Sequence, residues 1–131
     1  MADGSLLCTV VTPEQSIFDA AADRVTVPAH DGEVGILPGH ARLLAKLGAG
    51  ELRIVGGGKT RSFYVEGGFV QVADDRVTVL TDTASTVEDL DVAAAEARVN
   101  ELREVNRGPA FAEARRRWLA RQRVKERYHR D

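Results

Sequence analysis

The segment most suggestive of catalysis is GGGKT at residues 56–60, which ends like a phosphate-binding loop, where backbone N–H groups cradle phosphates and a lysine reaches the terminal ones. That chemistry needs a glycine five positions before the last one, and a strand that runs into a helix. Here Arg53 stands at the first position, and Lys59 and Thr60 lead into RSFYV, a strand pattern. The segment therefore reads as a hairpin turn. His30, His40 and His129 lack the spacing of a shared metal site, and no G-x-S-x-G elbow ties a serine to a base. Asp74 with Asp75, and Asp89 with Asp91, fall in a turn and at a helix start, where structural roles account for them. Cys8 is the single cysteine; in the alternating run LLCTVV it reads as a small buried hydrophobe. The chain is expected to have no catalytic centre, metal or cofactor.

The elements that would position these residues change character along the chain. Up to about residue 82, short β-branched runs are cut by Gly, Asp or Pro, the punctuation of a β-sandwich. Strands are expected at 6–11, 24–27, 43–47, 51–55, 61–66, 69–73 and 76–81, with turns at 56–58 and 73–75. Val70, Val72, Val77 and Val79 share one phase about the second turn, so they should face the core. After Thr83 the pattern becomes helical, opening on the acidic lead TVEDLD. Val92, Ala95, Val99 and Leu102 recur at helical spacing in residues 90–105. NRGP at 106–109 supplies a Gly to stop one helix and a Pro to start the next, expected over 111–130. Two antiparallel helices follow, with a seam thin enough to be mobile: alanine fills 93–95 and 97, and Val92, Val99 and Leu102 bring only about 1.5–3 kcal/mol each if fully buried. Trp118 is expected to be a packing residue between the hairpin and the sandwich rather than a ligand platform.

At 44% hydrophobic and 29% charged, the 131 residues have the balance of a soluble globular chain. There is no apolar run of membrane-spanning length and no secretory leader pattern in MADGSLLCTV, so a cytoplasmic location is expected. The net charge of -2 hides an asymmetry: residues 1–89 carry thirteen acidic and seven basic side chains, residues 90–131 seven and eleven. Such a division suggests two units with different partners.

GEVGILPGHARLL at 32–44 is the most unusual segment. Three glycines and a proline demand special backbone geometry, yet Val34, Ile36 and Leu37 are interleaved with them in what should be a surface loop. Composition leaves two readings open: the apolar side chains fold back onto the sandwich, or they form a docking surface.

This segment resembles the G-E-x-G-I-L-P-G-H-x-x-L signature of the ε subunit of bacterial F-type ATP synthases. The resemblance continues through YVEGGFVQVADDRVTVLTDTA at 64–84 and into the LD that opens the first tail helix. It implies an N-terminal all-β sandwich of about ten strands (1–85) and a C-terminal two-helix antiparallel hairpin (86–131). It also implies a non-catalytic central-stalk subunit at the cytoplasmic face of the bacterial plasma membrane, coupling rotation of the c ring to the catalytic head through the γ subunit. Carried onto this chain, Glu33, Gly35, Ile36, Leu37, Pro38 and His40 become the candidate surface for γ and the c ring, with Ile36 and Leu37 supplying buried area.

In many relatives the tail rises into the catalytic head of α and β subunits and blocks ATP hydrolysis. Arg115, Arg116, Arg117, Arg121, Arg123, Lys125 and Arg127, with Arg130, would make the second helix a cationic rod suited to that role. Relatives that bind ATP use I/L-D-x-x-R-A in the first helix. LDVAAA keeps Leu90, Asp91 and Ala95 but has Ala94 in place of the arginine, removing a charge and a bidentate donor, so weak or absent ATP binding is expected. The rival from another class is a nucleic-acid-binding protein that uses the arginine-rich helix, with Trp118 and Tyr128 as stacking groups. The acidic sandwich opposes it.

Overall fold

The computed structural model describes residues 5–105 and 108–130, with side chains described through 103 and over 108–127. The chain divides into two compact units, Met1–Ser85 and Thr86–Asp131.

The first unit is a sandwich of two five-stranded sheets. One has the order β2 (Ser16–Ala22), β1 (Leu6–Val11), β9 (Arg76–Leu80), β8 (Phe69–Ala73), β5 (Leu43–Lys46). The other runs β10 (Thr83–Thr86), β7 (Lys59–Glu66), β6 (Ala49–Gly56), β3 (Arg24–Ala29), β4 (Gly32–Ile36). In the first sheet β1 and β9 run parallel, and the other three pairings are antiparallel. Alternation along each strand sends one phase inward: Leu6, Cys8 and Val10 from β1 and Val70, Val72, Val77 and Val79 from β8 and β9 meet Val25, Val27, Ile36, Leu52, Ile54, Phe63 and Val65 from the opposite sheet. The inward phase expected of the four valines is the one observed.

Gly57 and Gly58 close the β6–β7 hairpin, and Asp74 and Asp75, with φ of 52° and 61°, close β8–β9 in a mirror-image turn whose twist matches the strands it joins. Lys59 opens β7, so no helix follows the glycines and the phosphate-loop reading is excluded by the fold.

Three strands escape a reading by composition: β2 (SIFDAAA), β4 (GEVGI) and β10 (TAST). Each lies at a sheet edge, with a neighbour on one side only. Edge strands need less β-branched surface, and alanine, glycine and serine suffice there.

In the second unit, α1 (Val92–Val105) and α2 (Pro109–Arg130) pack against each other. Asp91 caps α1, its carboxylate accepting the Ala94 N–H at 2.8 Å. Pro109 begins α2, and the Gly108 carbonyl accepts the N–H groups of Phe111 and Ala112. Residues 106 and 107 of the expected turn lie outside the described residues.

Candidate functional site

The signature segment is part strand and part turn. Its first five residues form β4, paired with β3 so that Ile36 lies opposite Val25 and Glu33 opposite Pro28. Ile36 is fully buried and belongs to the sandwich core, and Val34 packs against that core. This corrects the expectation of a docking surface built on both Ile36 and Leu37: pleating sends Ile36 inward, and only Leu37, 56% exposed, projects to the surface.

Beyond Ile36 the chain leaves the sheet and reverses. The His40 N–H donates to the Leu37 carbonyl at 3.1 Å, with Gly39 at φ 85°, a left-handed conformation that a side chain would strain. The Gly39 N–H donates to the Asp75 carboxylate at 2.7 Å, and Arg42 lies 3.6 Å from Asp74. The reversal at 37–40 is thereby tied to the β8–β9 turn, 36 residues later in sequence. A ring nitrogen of His40, Nδ1, lies 2.7 Å from the Ala41 carbonyl. Leu37, Pro38 and His40 thus share one turn. Glu33 and Gly35 lie on the other face of β4, where Glu33 is 3.4 Å from the Arg53 guanidinium, which also holds the buried Glu51 at 3.0 Å.

A second surface feature went unread in the sequence. Leu44, Phe69 and Leu80 are large, apolar and exposed. Phe69 pairs with Leu80 on one side and Lys46 on the other, two residues along the strands from the Leu44–Gln71 pair. All three lie on the outer face of a sheet whose inner face holds Val70, Val72 and Val79. The signal was available: each stands on the outward phase of its strand, where a polar residue is expected.

The cations of α2 divide into two sets. Arg115, Arg116, Arg123 and Arg127 are exposed, and Arg117 pairs with Glu113 at 2.8 Å. Arg121 and Lys125 are half-buried and turned back on their own unit: Arg121 donates to the Asp91 carbonyl at 3.2 Å, and the Lys125 ammonium donates to the carbonyls of Val87, Glu88 and Leu90 at 3.0, 2.9 and 3.2 Å. Two of the cations expected along the cationic second helix, Arg121 and Lys125, are thus engaged by backbone carbonyls of their own unit, whereas Arg115, Arg116, Arg123 and Arg127 are exposed. The side chains of Tyr128, His129 and Arg130 lie outside those described.

Between the helices is a groove of about 300 Å³ lined by Ala94, Arg98, Leu102, Glu113, Arg117 and Arg121. Arg98 is engaged by Glu101 at 3.0 Å, and Arg117 by Glu113. Trp118 is half-buried, its indole Nε1 shielded and without a hydrogen-bond partner among the described residues.

Cys8 is fully buried. Burial first, then the charge of Asp19, pushes its thiol up to about 12, so it is a poor nucleophile at neutral pH. Among the described residues no three His, Cys, Asp or Glu side chains are grouped to hold a metal, and no helix is long and apolar enough to cross a membrane.

Residues 5–87 match the family described as ATP synthase, Delta/Epsilon chain, beta-sandwich domain. An ATP synthase epsilon chain of Hydrogenovibrio crunogenus is 47% identical over 92 residues, an overlap of 70% of this chain and 64% of that one. The epsilon chain of a Synechococcus strain is 41% identical over 113 residues, covering 83% of each. A chain in the Euglena gracilis mitochondrial ATP synthase, in an assembly of OSCP, F1 and c-ring, has the same fold at a TM-score of 0.78 and 21% identity, over 98% of this chain and 84% of that one. The sandwich and the sequence that builds it therefore agree: this chain belongs to the delta/epsilon family of ATP synthase subunits, among its epsilon chains.

Proposed function

We propose that this epsilon-type chain is a non-catalytic central-stalk subunit of an F-type ATP synthase, docked on the γ subunit and the c ring at the cytoplasmic face of a bacterial plasma membrane. In this reading the unit 1–85 couples rotation of the ring to the catalytic head, and the unit 86–131 regulates hydrolysis by that head. The observation that carries the proposal is the turn 37–40, which offers Leu37 to solvent while its Gly39 N–H is tied to Asp75. An exposed leucine on a turn fixed from a second hairpin is preorganised for contact, because little chain entropy is lost on docking. Leu37 and Pro38 would supply buried area, His40 and Glu33 polar contacts. Gly35, which has no side chain, would allow close approach of a partner. The outward stripe Leu44, Phe69 and Leu80 supports a second contact surface on the same unit.

The test is assembly. Leu37→Asp is expected to lower affinity for the γ and c-ring rotor by about tenfold or more while leaving the folded sandwich intact. Equal affinity for native and variant chains would remove the turn from the interface, and failure of the native chain to co-purify with the rotor would overturn the proposal.

For the regulatory unit, the exposed Arg115, Arg116, Arg123 and Arg127, with Arg117 beside them, favour contact with an acidic surface of the α/β head. Each exposed ion pair contributes only about 0.2–1 kcal/mol, but about 2.7 kcal/mol holds a two-state switch 99% to one side, so several pairs together are enough. Truncation after Val105 is expected to raise ATP hydrolysis by the assembled enzyme; unchanged rates would remove the inhibitory role. No bound nucleotide is needed in this reading, since Ala94 brings no guanidinium to the groove and Arg98 and Arg117 face carboxylates of their own. Micromolar ATP affinity by calorimetry on the isolated chain would overturn that part.

A further inference from the structure

An antiparallel hairpin is held at its turn by chain connectivity, so its stability against opening depends on the other end, where the chain imposes nothing. In the helical unit that end is where Lys125 and Arg121 of α2 reach the segment leading into α1. The Lys125 ammonium donates to three backbone carbonyls, of Val87, Glu88 and Leu90, and Arg121 donates to the next carbonyl along, that of Asp91. The segment 87–91 also carries Glu88, Asp89 and Asp91, so its charge favours a cation there. Lys125 is half-buried, and charge-assisted bonds shielded in this way are stronger than exposed ion pairs. An ammonium has three donor protons, so a set of three carbonyls satisfies it without a carboxylate.

Elsewhere along the seam the described contacts are of another kind. Among the described residues of α1 and α2, the buried apolar ones are Ala95, Val99, Ala120 and Val124, none larger than valine. At the turn end the Arg103 guanidinium lies 5.8 Å from the centre of the Phe111 ring. Among the described residues, the set of four hydrogen bonds from α2 to the α1 side therefore lies at the end that the turn does not hold.

We propose that Lys125, seated on the carbonyls of Val87, Glu88 and Leu90 and seconded by Arg121 on Asp91, is the latch that holds the helical hairpin closed. The inference rests on the reading that this unit changes conformation, and it names the contact whose breaking starts the change. Opening of the hairpin strips Lys125 of all three acceptors at once, so release is cooperative rather than gradual.

The test uses the full-length chain in three forms: native, Lys125→Met and Arg123→Met. Lys125→Met keeps the apolar stem and loses the donors; Arg123→Met removes the same charge from an exposed position two residues away. Amide hydrogen exchange is measured by mass spectrometry on peptides from 86–105, 109–127 and the sandwich, with helix content followed by circular dichroism. Loss of several hydrogen bonds to a charged group should raise exchange in both helical segments about tenfold for Lys125→Met, with the sandwich unchanged and Arg123→Met close to native. Native-like exchange in Lys125→Met overturns the latch, and so does equal acceleration by Arg123→Met, which would make loss of charge sufficient. Lys125→Arg retains a cation but places a planar fork among carbonyls spaced for an ammonium, and exchange between native and Lys125→Met is expected. Native and Lys125→Met chains assembled into ATP synthase separate the two proposals. Faster exchange with unchanged hydrolysis leaves the latch standing and removes the regulatory role, whereas unchanged exchange removes the latch whatever hydrolysis does.

Discussion

The sandwich and the helical unit solve the problem of holding together in opposite ways. The sandwich packs β-branched and large apolar side chains from both sheets into one core, in which Leu6, Val10, Val25, Leu52 and Val79 are all fully buried. The helical unit buries mainly alanine and valine and closes itself with side chains that bond backbone groups: the Asp91 carboxylate accepts the Ala94 N–H, Arg121 donates to the Asp91 carbonyl, and Lys125 donates to three more carbonyls. Dispersion and hydrophobic burial are collective and non-directional, so a core built on them resists opening at any one point. Polar grips are few and directional, so the structure they hold opens when one or two are lost. The difference fits the proposal that one unit transmits force and the other changes state.

The largest expected effect tests the rigidity of the sandwich. Gly68 has φ of 101°, and a Cβ there would run into the Leu80 carbonyl, a backbone atom of the next strand that cannot step aside. Gly68→Ala should cost about 3–5 kcal/mol from backbone strain and overpacking together, read as a lower urea midpoint for the sandwich transition. A midpoint within experimental error of native would show that the sheet yields there. Next, Leu52→Ala should cost about 2–5 kcal/mol in the same transition, from lost burial and the cavity left behind. If it loosened the helical unit equally, the two units would not be energetically separate.

A smaller effect, confined to the other unit, is expected from Asp91→Ala. Loss of the cap should cost about 0.5–2 kcal/mol and raise exchange at the start of α1 without moving the sandwich transition. The smallest effect at neutral pH concerns Cys8, whose thiol is pushed up to about 12 by burial and by Asp19, from an ordinary 9.0. The folded state keeps the proton that the unfolded chain releases. Its contribution to stability is therefore complete below about pH 9 and is lost as pH rises from 9 toward about 12. Cys8→Ala should flatten the fall in stability over that window, and thiol reagents at pH 8 should label the native chain far more slowly than the urea-unfolded one. Fast native labelling would mean that the core opens more readily than its packing implies.

Much of the architecture was legible because two simple periods were strong. Val70, Val72, Val77 and Val79 fall on one phase about a turn, and Val92, Ala95, Val99 and Leu102 recur at helical spacing. The edge strands β2, β4 and β10 were not legible, since a strand paired on one side needs no distinctive composition. In the candidate site, the unusual backbone of 32–44 was readable from its glycines and proline, and Leu37 projects as the docking reading requires. Ile36 does not, because a one-residue step along a strand reverses the face. Sequence spacing around 36 gave no way to tell which of the two neighbours pointed out until β4 was paired with β3.

The sequence by itself determined what depends on local period and residue chemistry: a β-rich first part, a helical second part, a cysteine with no partner, the absence of a phosphate-loop context, and the family signature. Tertiary structure decided which groups meet across long stretches of chain. It brought Asp75 to the Gly39 N–H, set Leu44, Phe69 and Leu80 on one outer sheet face, and turned Lys125 from one more surface cation into a donor for three carbonyls about 35 residues earlier. The physical reason is that local patterns fix which side of an element is apolar, whereas a hydrogen bond between distant residues depends on how the intervening elements pack, and no local period records that.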